Sequence, residues 1–275
     1  MVRLARLVGP ERVVASTDCG FAQGPFALSE CSFTAEPGQV HAVIGPNGAG
    51  KSTLFNALCG IYRPAAGSIR LDGTELVGRR PDSVAALGVG RAFQNSSMVA
   101  GLSVADNLLL GRHRLTRSGL LSTGLRLPRA RHEERDARLR VREVAAFLGT
   151  EELLALPAAE LAYGAQKRVD IARALCTEPR LLLLDEPAAG MPAHEKVAMR
   201  DTVRRIAVDL GMTVLLVEHD MGLVMSISDR VTVLDFGTVI AGGTPTQIRT
   251  DPEVIRAYLG RAHGDAASLL DEPTG

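Results

Sequence analysis

The stretch LLLLDEP at residues 181–187 constrains the fold more than any other feature of the chain. Four consecutive leucines put apolar side chains on both faces of a strand, because successive residues point to opposite sides. Such a strand needs cover above and below, which a parallel sheet flanked by helices supplies. Short apolar runs of the same character recur at residues 40–44, 89–93, 213–217 and 230–234, with longer helical patterns between them. That alternation predicts an α/β chain with a mainly parallel sheet. With 275 residues, 46% apolar and 23% charged, there is material for a sizeable core, and the mixed charges exclude disorder as the main state.

The coarse pattern gives the organisation. Residues 51–59 read as a helix closed by Gly60, residues 67–73 as a strand between turn glycines, and residues 236–243 as an antiparallel edge hairpin. Ser103 with Asp106 resembles a capping box, so a helix starts there. Residues 115–128 read as an irregular insertion, and residues 131–148 as a charged helix with Leu139, Val141, Val144, Ala145 and Leu148 as its apolar face. Its acids and bases alternate as in a solvated face laced with i,i+4 pairs. A further helix spans residues 161–176, and no strand pattern occurs between 103 and 176. That run suggests an all-α subdomain inserted into the sheet domain. The expected division is residues 1–95 and 179–245 for the sheet core, 96–178 for the helical insertion, and 246–275 for a terminal helix at 252–259 followed by a loose tail.

Charge and composition narrow the function. A net charge of zero gives no nucleic-acid footprint. No run approaches ~18 apolar residues, so the chain is not expected to span a bilayer. The opening residues lack the apolar core and cleavage site of a secretory signal, which points to an intracellular chain. Cys19, Cys31, Cys59 and Cys176 have no metal or disulfide spacing and read as packing residues. Lysine occurs only at Lys51, Lys167 and Lys196, against 28 arginines.

One of those lysines closes the segment Gly45-Pro46-Asn47-Gly48-Ala49-Gly50-Lys51-Ser52, which satisfies G-x-x-x-x-G-K-[ST] between a predicted strand and a predicted helix. Glycines let the chain curl so that the amides of residues 48–53, Thr53 included, converge on a phosphate at a helix N-terminus. Lys51 supplies a mobile ammonium for the β- and γ-phosphate oxygens, and Ser52 a hydroxyl for Mg²⁺. No N-K-x-D guanine-reading motif occurs, which argues against a GTPase.

Asp185 and Glu186 stand at the exit of the buried leucine strand, where open α/β sheets place their ligand chemistry. Asp185 can hold Mg²⁺ through its water shell as a second anchor, and Glu186 can orient or deprotonate an attacking water. His219, after the strand at 213–217, reaches the same sheet edge and can contact the γ-phosphate. Gln94, after the strand at 89–93, can reach Mg²⁺ or the water through its amide.

With these elements in place, residues 161–168 (LAYGAQKR) resemble the signature segment of ATP-binding cassette (ABC) ATPases, shortly before the acid pair as in that family. The resemblance covers about residues 26–260. It implies a P-loop NTPase core of RecA-like type with edge antiparallel hairpins, ATP and Mg²⁺ as ligands, and two nucleotides sandwiched in a head-to-tail dimer. In that dimer Ala162, Tyr163, Gly164, Ala165 and Gln166 close over the partner's phosphates. An adenine-stacking aromatic is implied upstream, with Phe21 the candidate.

GRAFQN at residues 90–95, the insertion near residues 112–129, EPAAGM at 186–191, EHDMGLVMSISDRVTVLDFG at 218–237 and DPEVIRAYLG at 251–260 look like the cassettes of branched-chain (hydrophobic) amino acid importers. The implied partners are two transmembrane permease subunits, a second cassette (the same chain or a different one) and, indirectly, a solute-binding protein. The implied place is the cytoplasmic face of the inner membrane. Cassettes of urea or short-amide importers, lipopolysaccharide exporters, soluble non-transport ABC ATPases and non-catalytic regulatory cassettes are the alternatives. Three positions depart from the family pattern: Ala162 replaces the signature serine, Ala165 its glutamine, and Pro192 the Asp or Asn after the acid pair. All three concern what this subunit offers its partner.

Overall fold

The computed structural model describes residues 2–5, 28–29, 31–93, 98–112, 115 and 128–259, with the backbone alone at 2–5, 128–130 and 259. Ten strands occur in chain order among these residues: β1 (Val2–Ala5), β2 (Phe33–Ala35), β3 (Val40–Ile44), β4 (Ser68–Leu71), β5 (Thr74–Glu75), β6 (Val89–Ala92), β7 (Leu181–Asp185), β8 (Thr213–Val217), β9 (Arg230–Asp235) and β10 (Thr238–Gly243). The helices are α1 (Lys51–Leu58), α2 (Pro81–Ala86), α3 (Val104–Arg112), α4 (Pro128–Leu148), α5 (Tyr163–Leu175), α6 (Ala193–Asp209), α7 (Met221–Ile227), α8 (Pro245–Arg249) and α9 (Pro252–Leu259).

Six strands form the main sheet in the order β10-β9-β3-β8-β7-β6. All its neighbours are parallel except the β9–β10 edge hairpin. The leucine strand behaves as its sequence demands. Leu181 and Leu183 pack on one face with Leu54, Phe55 and Leu58 of α1, while Leu182 and Leu184 pack on the other with Val203 and Ile206 of α6. All four are fully buried. β8 does the same on both faces, and β9 buries Val231 and Val233 against Met221 of α7, Ile248 of α8 and Val254 of α9.

Between β6 and β7 the described residues are helical. The Asp106 amide donates to Ser103 Oγ at 3.1 Å, the N-cap bond expected from the sequence. Helix α4 begins at Pro128, three residues earlier than its charge pattern marks. Ala137, Val141, Val144, Ala145 and Leu148 are its buried stripe, whereas Leu139 is 47% exposed. The correction is geometric: two positions from Val141 turn a side chain about 200° around the axis, onto the solvent side. The outer face carries Arg138–Glu134 and Arg140–Glu143 pairs at 2.9 Å, the solvated lacing anticipated above.

A second, antiparallel sheet in the order β2-β1-β4-β5 lies outside the sequence expectation except for β4. Its strands are two to four residues long, too short for a visible period. Helices α2, α7 and α8, of five to seven residues, were missed for the same reason. Cys31, Cys59 and Cys176 are free thiols in packed surroundings, and burial pushes Cys31 and Cys176 up to about 12. Cys19 and the tail after Leu259 lie outside the described residues.

Gly45, where β3 opens into the glycine loop, is the tightest point of this junction. Its φ is 149°, and a Cβ there would run into the Leu234 carbonyl oxygen of β9. Gly45→Ala is expected to destabilise the chain by about 3 kcal/mol or more, because the obstacle is backbone and cannot swing away. Chemical denaturation followed by circular dichroism checks it.

Candidate nucleotide site

Because β3, β7 and β8 are parallel neighbours, their C-terminal ends meet on one edge, and each delivers a polar group there. β3 leads into residues 45–52. Gly48 (φ 81°) and Gly50 (φ 103°) occupy the left-handed region, and Gly50 is the N-cap of α1. A side chain on Gly48 would meet nothing within 4 Å, so its flank faces open space. The Ala49 amide closes a turn on Pro46 O at 3.1 Å, and Ala49 O accepts from the Gly237 amide at 3.0 Å, which fastens the loop to the β9–β10 turn. Asn47 and Ser52 are exposed and Thr53 half-buried.

Lys51 is buried, only 7% exposed. Its Nζ donates to Gly45 O at 2.5 Å and Pro46 O at 3.0 Å. Burial lowers its pKa to about 8, against the opposing pull of the Glu186 and Asp185 carboxylates. A buried amine held by carbonyls, in a glycine loop that opens a helix N-terminus, fits a polyphosphate.

β7 ends in Asp185, 7% exposed, whose Oδ2 accepts from Arg91 Nη2 at 2.6 Å. Ser52 and Asp185 are hard oxygen donors of the kind that Mg²⁺ takes beside phosphates and water. Glu186 follows in the left-handed region at φ 51°, costly for a non-glycine residue and held by its amide's bond to Val217 O at 2.8 Å. His219, just beyond β8, is half exposed, and its Nε2 donates to Glu186 Oε1 at 2.8 Å. The structure thus brings together Lys51, Asp185, Glu186 and His219. Gln94 and Phe21 lie outside the described residues.

Three partners went unnoticed in the sequence. Arg91 was passed over inside GRAFQN, though a cation within an apolar strand is a signal. Glu218, 3% exposed, accepts from the Ala188 amide at 2.8 Å and the His219 amide at 3.1 Å, tying the loop after Glu186 to the histidine. Burial nonetheless raises its pKa. Lys196 pairs with Asp220 at 2.5 Å and spans the same two segments.

The signature residues lie apart from the loop: among the described residues no hydrogen bond or ion pair joins 161–166 to 45–53. Helix α5 starts after Ala162, an N-cap with no side-chain bond, and Gly164 is buried where a Cβ would strike the Glu195 carboxylate. Tyr163 is exposed and lies against Gly190, with the buried Lys167 ammonium 5.5 Å over its ring. Ala165 is half-buried, and Gln166 Nε2 turns back to Leu161 O at 2.9 Å. Pro192, likewise, caps α6 without a side-chain bond.

The family profile described as "ABC transporter" matches residues 28–189. The chain is 42% identical over 239 residues to the high-affinity branched-chain amino acid transport ATP-binding protein BraF of Pseudomonas aeruginosa, covering 87% of this chain and 94% of that one. The chain belongs to the ABC transporter family. It is an ATP-binding cassette of that family and an ATPase. LivG of Escherichia coli strain K12, of the same description, is 41% identical over the same coverage. A second profile, "Branched-chain amino acid ATP-binding cassette transporter", matches residues 238–264. Among solved structures, the ADP conformation of MJ1267, an ATP-binding cassette of an ABC transporter, superposes with a TM-score of 0.77 at 27% identity, covering 94% of this chain and 98% of that one.

Two measurements probe the cassette's site. In the free protein Lys51 is neutral above pH 8 and charged below, whereas phosphate contact favours the charged form. Nucleotide binding should therefore take up close to one proton at about pH 9 and almost none at about pH 7, read by calorimetry in buffers of different ionisation enthalpy. Ala162→Ser restores an N-cap to α5 and should add about 1 kcal/mol of stability, measured by urea denaturation.

Proposed function

We propose that the chain is the energy-coupling ATPase of an importer for branched-chain or other hydrophobic amino acids, peripheral to the cytoplasmic face of the inner membrane. The observation that carries the mechanism is the Glu186–His219 contact beside Lys51 at the shared strand edge. Support for the substrate class comes from the likeness to BraF and LivG over nearly their whole length. No helix among the described residues is long and apolar enough to cross a membrane, so the path for the solute belongs to other chains.

In this reading residues 45–53 cradle the phosphates of ATP through their amides, and Lys51 moves from the Gly45 and Pro46 carbonyls to the β- and γ-oxygens. Ser52 through its hydroxyl, Asp185 and Gln94 would hold Mg²⁺, which would supply charge neutralisation for the phosphates. Glu186 orients a water and accepts its proton as the water oxygen attacks the γ-phosphorus and the bond to the β-phosphate oxygen breaks, leaving ADP and phosphate. His219 donates to Glu186 in the resting site and to the γ-phosphate once it arrives. Phe21 stacks on adenine.

A second cassette, identical or different, supplies the signature face, and residues 162–166 here do the same for it. Their offer is main-chain amides at the start of α5, since Ala162 has no hydroxyl. Residues 1–95 and 179–245 form the nucleotide core, 96–178 the helical unit that moves on closure, and 246–275 a terminal appendage. Two permease subunits, served by a solute-binding protein, receive that motion. Their contact surface is the apolar groove of about 420 Å³ where Ile61, Phe93 and Leu110 are exposed.

Glu186→Gln should lower turnover by about 10²-fold or more while ATP-bound dimers accumulate on size exclusion. Unchanged turnover would overturn the mechanism. Deleting the chain from its cells should abolish leucine uptake, and uptake that persists without it would remove the substrate assignment.

A further inference from the structure

We propose that Arg91 is a positioning residue of the magnesium site, setting the spacing between Ser52 and Asp185; the proposal rests on the reading of those two, with Gln94, as the residues that hold the ion. Arg91 sits inside β6 with its side chain only 10% exposed. A guanidinium there is costly unless it is paired. Two of its nitrogens are. Nη2 donates to Asp185 Oδ2 at 2.6 Å and Nη1 to Asn56 Oδ1 at 2.8 Å, while Nε has no acceptor among the described residues.

Asn56 and Ser52 stand four residues apart on α1 and therefore share a face of that helix. The guanidinium is a flat, rigid spacer between the end of β7 and the helix face that carries Ser52. It holds Asp185 by a single oxygen, which fixes the rotation of the carboxylate about its own axis. Mg²⁺ demands near-ideal octahedral geometry at short distances, so a loosened carboxylate costs metal affinity first. Nucleotide without metal, gripped by loop amides and Lys51, depends on Arg91 least.

The guanidinium also lies 4.8 Å from the ring centre of Phe93 and 5.7 Å from that of Phe55. Arg91 and Phe93 both line the apolar groove. A permease segment seated there touches the same cation that steadies Asp185.

The test uses the full chain in a Glu186→Gln background, with a fluorescent ATP analogue titrated first in EDTA and then with MgCl₂. Arg91→Met should raise the half-saturating Mg²⁺ concentration about tenfold or more, as loss of a ligand's outer partner does, and leave the affinity in EDTA unchanged. Arg91→Lys keeps the charge without the fork and should fall between the two. Asn56→Leu cuts only the second arm and should shift the metal titration at an unchanged melting temperature. An unshifted Mg²⁺ titration in folded Arg91→Met overturns the proposal; if that variant does not fold, unshifted titrations in Arg91→Lys and Asn56→Leu do so. Asp185→Asn separates this from the ligand reading. If it shifts the titration and the Arg91 variants do not, only the Arg91 proposal falls; if it has no effect, the ligand reading falls and the proposal with it.

Discussion

A parallel ladder ends all its strands on one edge, and in this chain that edge is where the chemistry collects. β3, β8 and β7 are hydrogen-bonded neighbours. The loop after the first, the histidine after the second and the acid pair after the third therefore meet, although up to about 175 residues separate them in sequence. Side-by-side pairing is possible only because both faces of these strands are covered, by α1 on one side and α6 on the other. Losing that cover would uncouple the groups without altering any of them.

Charge is the second constraint. Lys51, Asp185 and Glu218 are all buried, and none is left to bear its burial alone. Lys51 is held by two carbonyls, Asp185 by Arg91, and Glu218 by backbone amides. These arrangements hold the site's geometry in place before nucleotide arrives, which limits the reorganisation that catalysis requires. The left-handed Glu186 belongs to the same economy: a strained backbone, tied to Val217, aims a carboxylate at His219.

Helices α5 and α6 open more plainly: both begin without a side-chain cap, because Ala162 and Pro192 stand where hydroxyl or amide groups would serve. What remains at the start of α5 is backbone, with the Glu195 carboxylate beside Gly164. The position of those amides depends on how α3, α4 and α5 pack into the core they share with the sheet.

Much of this was legible in the sequence. The doubly buried β7, the strand-loop-helix at residues 40–58, the acid pair and His219 are local signals, because period and motif act over a few residues. β1, β2, β5, α2, α7 and α8 were not legible, since such short elements without a continuous apolar run or bounding glycines carry no signal of their own and form through tertiary contacts. Leu139 reads as core until the helix phase is set by its neighbours. Arg91 and Glu218 lie within quoted motifs and Asn56 within the first helix, but no local pattern says what their side chains bind. The sequence by itself determined which groups line the phosphate loop and which carboxylates close the strand, because those residues are neighbours along the chain. Only the tertiary structure decided that Arg91 bridges Asp185 to α1 and that Glu218 ties the loop after Glu186 to His219. Those bonds join residues 30 to 94 positions apart, and such partners exist only once the sheet has assembled.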